Sequence, residues 1–186
     1  MAGVVNGWDG ITDNNNSKSI IAQASFLPLD GFEIYLNWMG GNEEPNTNNS
    51  KGVETDAFLQ IFDLTSSFDI NDHLSLGLNG SFGSNRIGKD SVNTNWGGIA
   101  LYGNYEINDF LSFGIRGEIF DDTQEARNIK AYYEGITISS TISLSEGTFL
   151  IKPEFRIDNA SKDIYYKGLN NNVTNSQSTI GLSVIG

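Results

Sequence analysis

The chain has 186 residues, a formal net charge of −12 and 38% hydrophobic residues, which fits one ordered, acidic domain rather than a disordered segment. With no cysteine and a single histidine, it has no disulfide scaffold, no thiol chemistry and no histidine-rich metal centre. Eleven basic residues against twenty-three acidic ones argue against nucleic acid as a partner, because that affinity rests on neutralising phosphates.

No apolar run approaches the roughly 18–20 residues of a membrane-spanning helix, but a barrel strand is short and apolar only at alternate positions. Residues 1–9 carry neither the basic region nor the long apolar run of a signal peptide. An exported protein would therefore be represented here by a mature chain or a fragment.

Period-two alternation runs through nearly the whole chain, and helical periodicity is hard to find. A partial strand is expected at 4–9 and a less regular one at 19–27. In the next, Phe32, Ile34, Leu36 and Trp38 face one way, and Glu33, Tyr35 and Asn37 the other. After a run at 56–68, Leu74, Leu76, Leu78 and Phe82 oppose Ser75, Gly77, Asn79 and Ser81. After another at 96–105, Leu111, Phe113, Ile115 and Ile119 oppose Ser112, Gly114, Arg116 and Glu118. A run at 132–142 leads to Phe149, Ile151, Phe155 and Ile157, set against Lys152, Glu154, Arg156 and Asp158. The last strand sets Ile180, Leu182 and Val184 against Thr179, Gly181 and Ser183. About ten strands result. The fold class is all-β, an antiparallel up-and-down transmembrane β-barrel, with 1–186 as a single barrel domain.

Two kinds of connection alternate. Tight, Asx- or Gly-bearing turns are expected at 28–31, 69–72, 106–109 and 145–147. Long polar loops are expected at 10–18, 41–54, 84–95, 121–130 and 159–175. The two-strand unit recurs about every 37 to 41 residues, and residues 68–77 match 105–114 in sequence, so one hairpin is repeated.

Alternation alone leaves open which face meets water. A soluble barrel would hide the apolar face, whereas a membrane barrel would show it to lipid. Three features favour the membrane. Short and long connections alternate, and the polar face holds Ser, Gly, Asn, Thr and, in one strand, four charged residues. Aromatics also collect near strand ends, as in interfacial girdles. Beside the tight turns lie Phe26, Phe32, Phe68, Tyr105, Phe110 and Phe149; near the long loops lie Trp8, Trp38, Phe82, Trp96, Phe120, Tyr132 and Tyr133.

Several segments resemble the putative β-barrel porin-2 (OmpL-like) family. They are Val4-Val5-Asn6-Gly7-Trp8-Asp9 with Asp13-Asn14-Asn15-Asn16, Tyr35-Leu36-Asn37-Trp38-Met39-Gly40-Gly41, Leu74-Ser75-Leu76-Gly77-Leu78-Asn79, Arg116-Gly117-Glu118-Ile119-Phe120-Asp121-Asp122 and Pro153-Glu154-Phe155-Arg156. The resemblance spans essentially the whole chain and implies the C-terminal part of a longer barrel in the bacterial outer membrane. The ending Val184-Ile185-Gly186 departs from the terminal aromatic usual in such barrels, which suggests truncation there too.

Candidate chemistries follow from this frame. An outer-membrane hydrolase would need a serine activated by a histidine, but His73, the one histidine, lies at an Asn-Asp turn where solvation is the plainer reading. Glu118, Glu154 and Asp158 could be sought as paired carboxylates, but Lys152 and Arg156 between them suggest a salt-bridged wall. No catalytic residue is expected. The loop acids Asp13, Glu43-Glu44, Asp121-Asp122 and Glu125 offer oxygen ligands, yet none has calcium-loop spacing, and solvated loops are the expectation. The sequons at Asn15 and Asn48 are read as chance in an Asn-rich chain.

What remains is a pore lining of Arg116, Glu118, Lys152, Glu154, Arg156 and Asp158. The expected function is a porin-like channel for passive diffusion of small hydrophilic solutes, cation-preferring because acid exceeds base. Expected partners are outer-membrane lipid, lipopolysaccharide and the solutes themselves, with a homo-oligomer compatible; no metal or cofactor is expected. The alternative is a non-conducting structural or partner-binding barrel that acts through its Asn-rich loops.

Overall fold

The alternating β-branched, aromatic and small polar residues suit a pleated surface with two chemically different sides. The computed structural model describes residues 1–7, 17–43, 57–87, 93–145, 147–168 and 172–186. Its strands are β1 (Ala2–Val5), β2 (Ser19–Leu29), β3 (Phe32–Asn42), β4 (Ala57–Asn71), β5 (Leu74–Ile87), β6 (Thr94–Asn108), β7 (Leu111–Asp121), β8 (Tyr132–Leu144), β9 (Phe149–Ala160), β10 (Tyr165–Lys167), β11 (Asn172–Thr174) and β12 (Ser176–Ile185). Ten form one antiparallel sheet in the order β1-β2-β3-β4-β5-β6-β7-β8-β9-β12, and β10 pairs with β11 as a separate hairpin. The segment expected as a plain loop at 159–175 is therefore partly ordered. The Tyr165, Tyr166 and Val173 run supplies the β-formers, and Ile164 N–H donates to the Thr174 carbonyl at 3.0 Å beside the ladder.

The repeated hairpin in sequence is a repeated hairpin in structure. Near the β4–β5 turn the register shifts between Asp69 and Asn71, leaving Ile70 as the extra residue. Near the β6–β7 turn it shifts between Glu106 and Asn108, leaving Ile107. Asn71 Oδ1 then accepts from the backbone N–H groups of His73 and Leu74 at 2.9 and 3.0 Å. Asn108 Oδ1 accepts from those of Phe110 and Leu111, both at 3.0 Å. Each is a bulge followed by an Asx-stabilised turn. The β2–β3 turn instead uses Gly31 at φ 75°, a left-handed conformation that needs no Cβ.

Exposure settles the face that alternation left open. Along one row of the sheet, Ile115, Ile138, Phe155 and Ile180 are register partners and are 57%, 53%, 43% and 84% exposed. Among the described residues, the buried apolar side chains are Ala100, Ala131 and Ala160. Burying one Ile, Leu or Phe is worth about 1.5–3 kcal/mol, so a sheet showing this many to water would forfeit its main driving force. The polar face is the sheltered one. Thr137 and Asp158 are buried on it, and Arg116, Glu118 and Arg156 are partly shielded. A soluble barrel would have the reverse arrangement.

The two aromatic rows come out differently. Phe32 and Phe68 meet edge-on at 5.4 Å, and Phe26, Tyr105, Phe110 and Phe149 are exposed at the same tight-turn end. At the long-loop end Trp38 and Phe82 share the apolar face with Phe62, but Trp96, Phe120 and Tyr133 lie on the polar face. These three stack on one another, with centroids 5.8 and 6.2 Å apart. Residue parity decides this: Phe120 shares a side with Arg116 and Glu118, and Trp96 with Tyr102. Trp8 lies outside the described residues.

Candidate functional site

The sequence places a base two residues before an acid in both β7 and β9, as Arg116-Gly117-Glu118 and Arg156-Ile157-Asp158. Period two puts all four on one face. The register then aligns the pairs across the sheet, with Thr137 between Arg116 and Arg156, and Gly135 between Glu118 and Asp158. Glu118 accepts from both Arg116 and Arg156. Arg156 also donates from Nε to Asp158 at 2.8 Å and from Nη1 to Thr137 Oγ1 at 3.3 Å. Gln177 of β12 closes one end, donating to Asp158 Oδ2 at 3.3 Å, and Arg116 lies 5.3 Å from the Tyr102 ring centroid at the other. Gly135 makes room for this belt. A Cβ there would stand 3.0 Å from both Arg156 Nη2 and Asp158 Oδ1, and 3.1 Å from Glu118 Oε1.

Lys152 and Glu154 share that face nearer the tight-turn end, where both are exposed. All six predicted residues thus lie on the polar side, but they divide into two groups. Arg116, Glu118, Arg156 and Asp158 neutralise one another; Lys152 and Glu154 have no hydrogen bond or ion pair among the described residues.

A second polar centre, on β2–β5, escaped the sequence reading. Asp63 Oδ1 accepts from Asn37 Nδ2 at 2.9 Å, and Oδ2 from Asn79 Nδ2 at 2.9 Å and Ser81 Oγ at 2.8 Å. Gln23 extends the row by donating to Asn37 Oδ1 at 2.8 Å. Among the described residues this carboxylate is held by neutral donors and no base. Its only sequence signal is a lone charge within the apolar run of β4.

The connection from β7 to β8 turns inward. Asp122 is fully buried, and its carboxylate accepts from the backbone N–H groups of Arg127 and Ile129 at 2.9 Å and Lys130 at 3.3 Å. Asn85 Nδ2 donates to the Ala126 carbonyl at 2.8 Å, and the Arg127 guanidinium lies 5.5 Å from the Trp96 ring centroid. Glu125, Asn128 and Lys130 adopt positive φ to make this path. Lys130 pairs with Glu125 at 2.8 Å, and that contact raises the lysine pKa. Asp122, expected in a solvated loop, is instead consumed by backbone donors. Among the described residues no three metal-ligating side chains converge. Asp13 and Glu44 lie outside the described residues.

Between the belt and this loop lies a cavity of about 480 Å³, lined by Glu118, Arg156, Asp158, Tyr133, Ile129 and Tyr165. On the opposite, apolar face, Gly117 leaves a hollow of about 700 Å³ bordered by Ile99, Leu101, Ile119, Ile136 and Ile157. His73 stays at its turn, 6.3 Å from the Tyr105 ring centroid.

The sequence matches the family described as Putative beta-barrel porin-2, OmpL-like, over residues 1–186. The chain belongs to this family. No curated protein sequence matches it. A solved structure, the outer-membrane expressed OmpT of Vibrio cholerae, is similar in fold with a TM-score of 0.58 at 11% identity. The similarity covers 90% of this chain and 55% of that one, so the chain spans about half the length of that structure. The fold is an antiparallel outer-membrane β-barrel, the protein is porin-like, and its compartment is the bacterial outer membrane. The exposed apolar face is accordingly the one that meets lipid.

Proposed function

We propose that the polar face of this barrel lines a water-filled path for passive diffusion of small hydrophilic solutes, with a preference for cations. The observation that carries the reading is the charge on the sheltered face. Among the described strand residues, Glu33, Asp63, Asp69, Glu106, Glu118, Glu154 and Asp158 stand there against Arg116, Lys152 and Arg156. The Arg–Glu–Arg–Asp belt is internally neutral, and the charges of Lys152 and Glu154 cancel in sum though the two do not touch. The excess negative charge therefore comes from Asp63 and from the acids near the tight-turn mouth, which attract cations and repel anions. Membership of a porin family supports a non-enzymatic role. Lipopolysaccharide is the expected neighbour of the long-loop end, and self-association is compatible with the lipid-facing surface.

The inward path of residues 122–131 favours a second reading, in which the loop occludes the lumen and the barrel serves as a scaffold or partner-binding surface. Reversal potentials in planar bilayers under a salt gradient separate the two. The channel reading expects cation preference that weakens at high salt as the acids are screened. Anion preference refutes the charge argument, and an intact barrel without conductance supports occlusion.

A further inference from the structure

Below the neutral belt, the polar face changes character. One row of register partners crosses β12, β9, β8, β7 and β6 as Gly181, Glu154, Ser139, Gly114 and Asn104. Two of the five are glycines, so the face is hollowed on both sides of the Glu154–Ser139 pair. A Cβ at Gly114 would stand 2.8 Å from Ser139 Oγ and 3.1 Å from Asn104 Oδ1, inside the hollow. Ser183 is the register partner of Lys152, and Ser112 that of Thr141. Together these residues line a cavity of about 270 Å³, the size of a small metabolite rather than a polymer.

The charges in this hollow differ from those above. Arg156 and Asp158, two residues apart on β9, pair with each other; Lys152 and Glu154, also two residues apart on the same face, do not. Both are exposed on the hollow's side of the sheet, so among the described residues each keeps a charge that no side chain answers. An ammonium and a carboxylate side by side among hydroxyls form the complement of a zwitterion, whose carboxylate meets Lys152 and whose ammonium meets Glu154. Ser112, Ser139, Thr141 and Ser183 can donate to or accept from either end. The geometry points to a subsite on the lumen wall for a small zwitterionic solute of the amino-acid class.

This assignment rests on the diffusion-channel reading and names its solute class. The test uses 4-aminobutyrate as the zwitterion and erythritol as an uncharged polyol of the same carbon count. In bilayers carrying the protein, 4-aminobutyrate should reduce the potassium chloride current saturably, and erythritol should not. Lys152→Gln and Glu154→Gln should each weaken that block about tenfold, the loss of one charge-assisted contact. The paired exchange Lys152→Glu with Glu154→Lys should restore it, because the complement survives with its polarity reversed. Equal block by both solutes, or no saturable block in a conducting barrel, overturns the subsite while the channel reading stands. A barrel that carries no current refutes the channel reading. Calorimetric titration of the micelle-held protein then decides the subsite by itself: 4-aminobutyrate heat lost in both single variants supports it, and heat unchanged in them or absent in the parent overturns it.

Discussion

At the residue scale, each strand position has an environment that one substitution can test. Ile115 faces lipid near mid-strand, so Ile115→Arg should cost roughly 2–4 kcal/mol in urea unfolding from lipid vesicles. Arg156 touches Glu118, Asp158 and Thr137, and its removal leaves two carboxylates without their shared base. Arg156→Gln should cost about 1–3 kcal/mol, because Glu118 then keeps only Arg116 and Asp158 only the neutral Gln177. Gly135→Ala should disturb the same belt by crowding rather than by charge, and equal stability of this variant and the parent would show the belt to be slack. The base-then-acid spacing in β7 and β9 made this belt legible in the sequence. Asp63 was not legible, because its partners Asn37, Asn79 and Ser81 come from strands whose register no local pattern reveals.

At the element scale, turns and loops carry the differences between expectation and structure. The match of 68–77 with 105–114 translated directly into two equal bulged turns, because Asn71 and Asn108 hold the same two kinds of N–H group. Asn71→Ala and Asn108→Ala should therefore destabilise by similar amounts, about 1 kcal/mol each in urea unfolding. A large cost at one and none at the other would break the equivalence. In sequence the β7–β8 connection has the composition of a solvated acidic loop, since composition shows charge but not direction. Its inward course depends on the burial of Asp122 and on Asn85 and Trp96 from distant strands. Asp122→Ala removes the acceptor for three backbone donors and should release the loop. In conductance measurements the released loop should give a larger unitary current, whereas an unchanged current would show that the loop does not narrow the path.

At the scale of the whole molecule, one physical fact organises the rest: the sheet shelters its polar side and exposes its apolar side. The strands, their antiparallel order and the existence of two faces could be read from period-two alternation. The choice between the faces could not, since both a soluble and a membrane barrel satisfy the same pattern. Trp96, Phe120 and Tyr133 show the limit of reading aromatics by their place along the chain. Each stands at a strand end, as an interfacial girdle residue would, yet its parity sends it to the polar side.

If this polar side borders water that solutes can cross, its side chains are reachable from the aqueous phase of an intact membrane. The parent has no cysteine, so single cysteines at 113, 115, 116, 118 and 119 give an unambiguous scan along β7. The measurement is modification by a membrane-impermeant thiol reagent in intact proteoliposomes, with conductance recorded before and after. Reaction and a fall in current are expected for Arg116→Cys and Glu118→Cys, with Phe113→Cys, Ile115→Cys and Ile119→Cys silent until the bilayer is dissolved. Reaction at the lipid-side positions, or silence at 116 and 118 until the protein is denatured, would contradict this expectation.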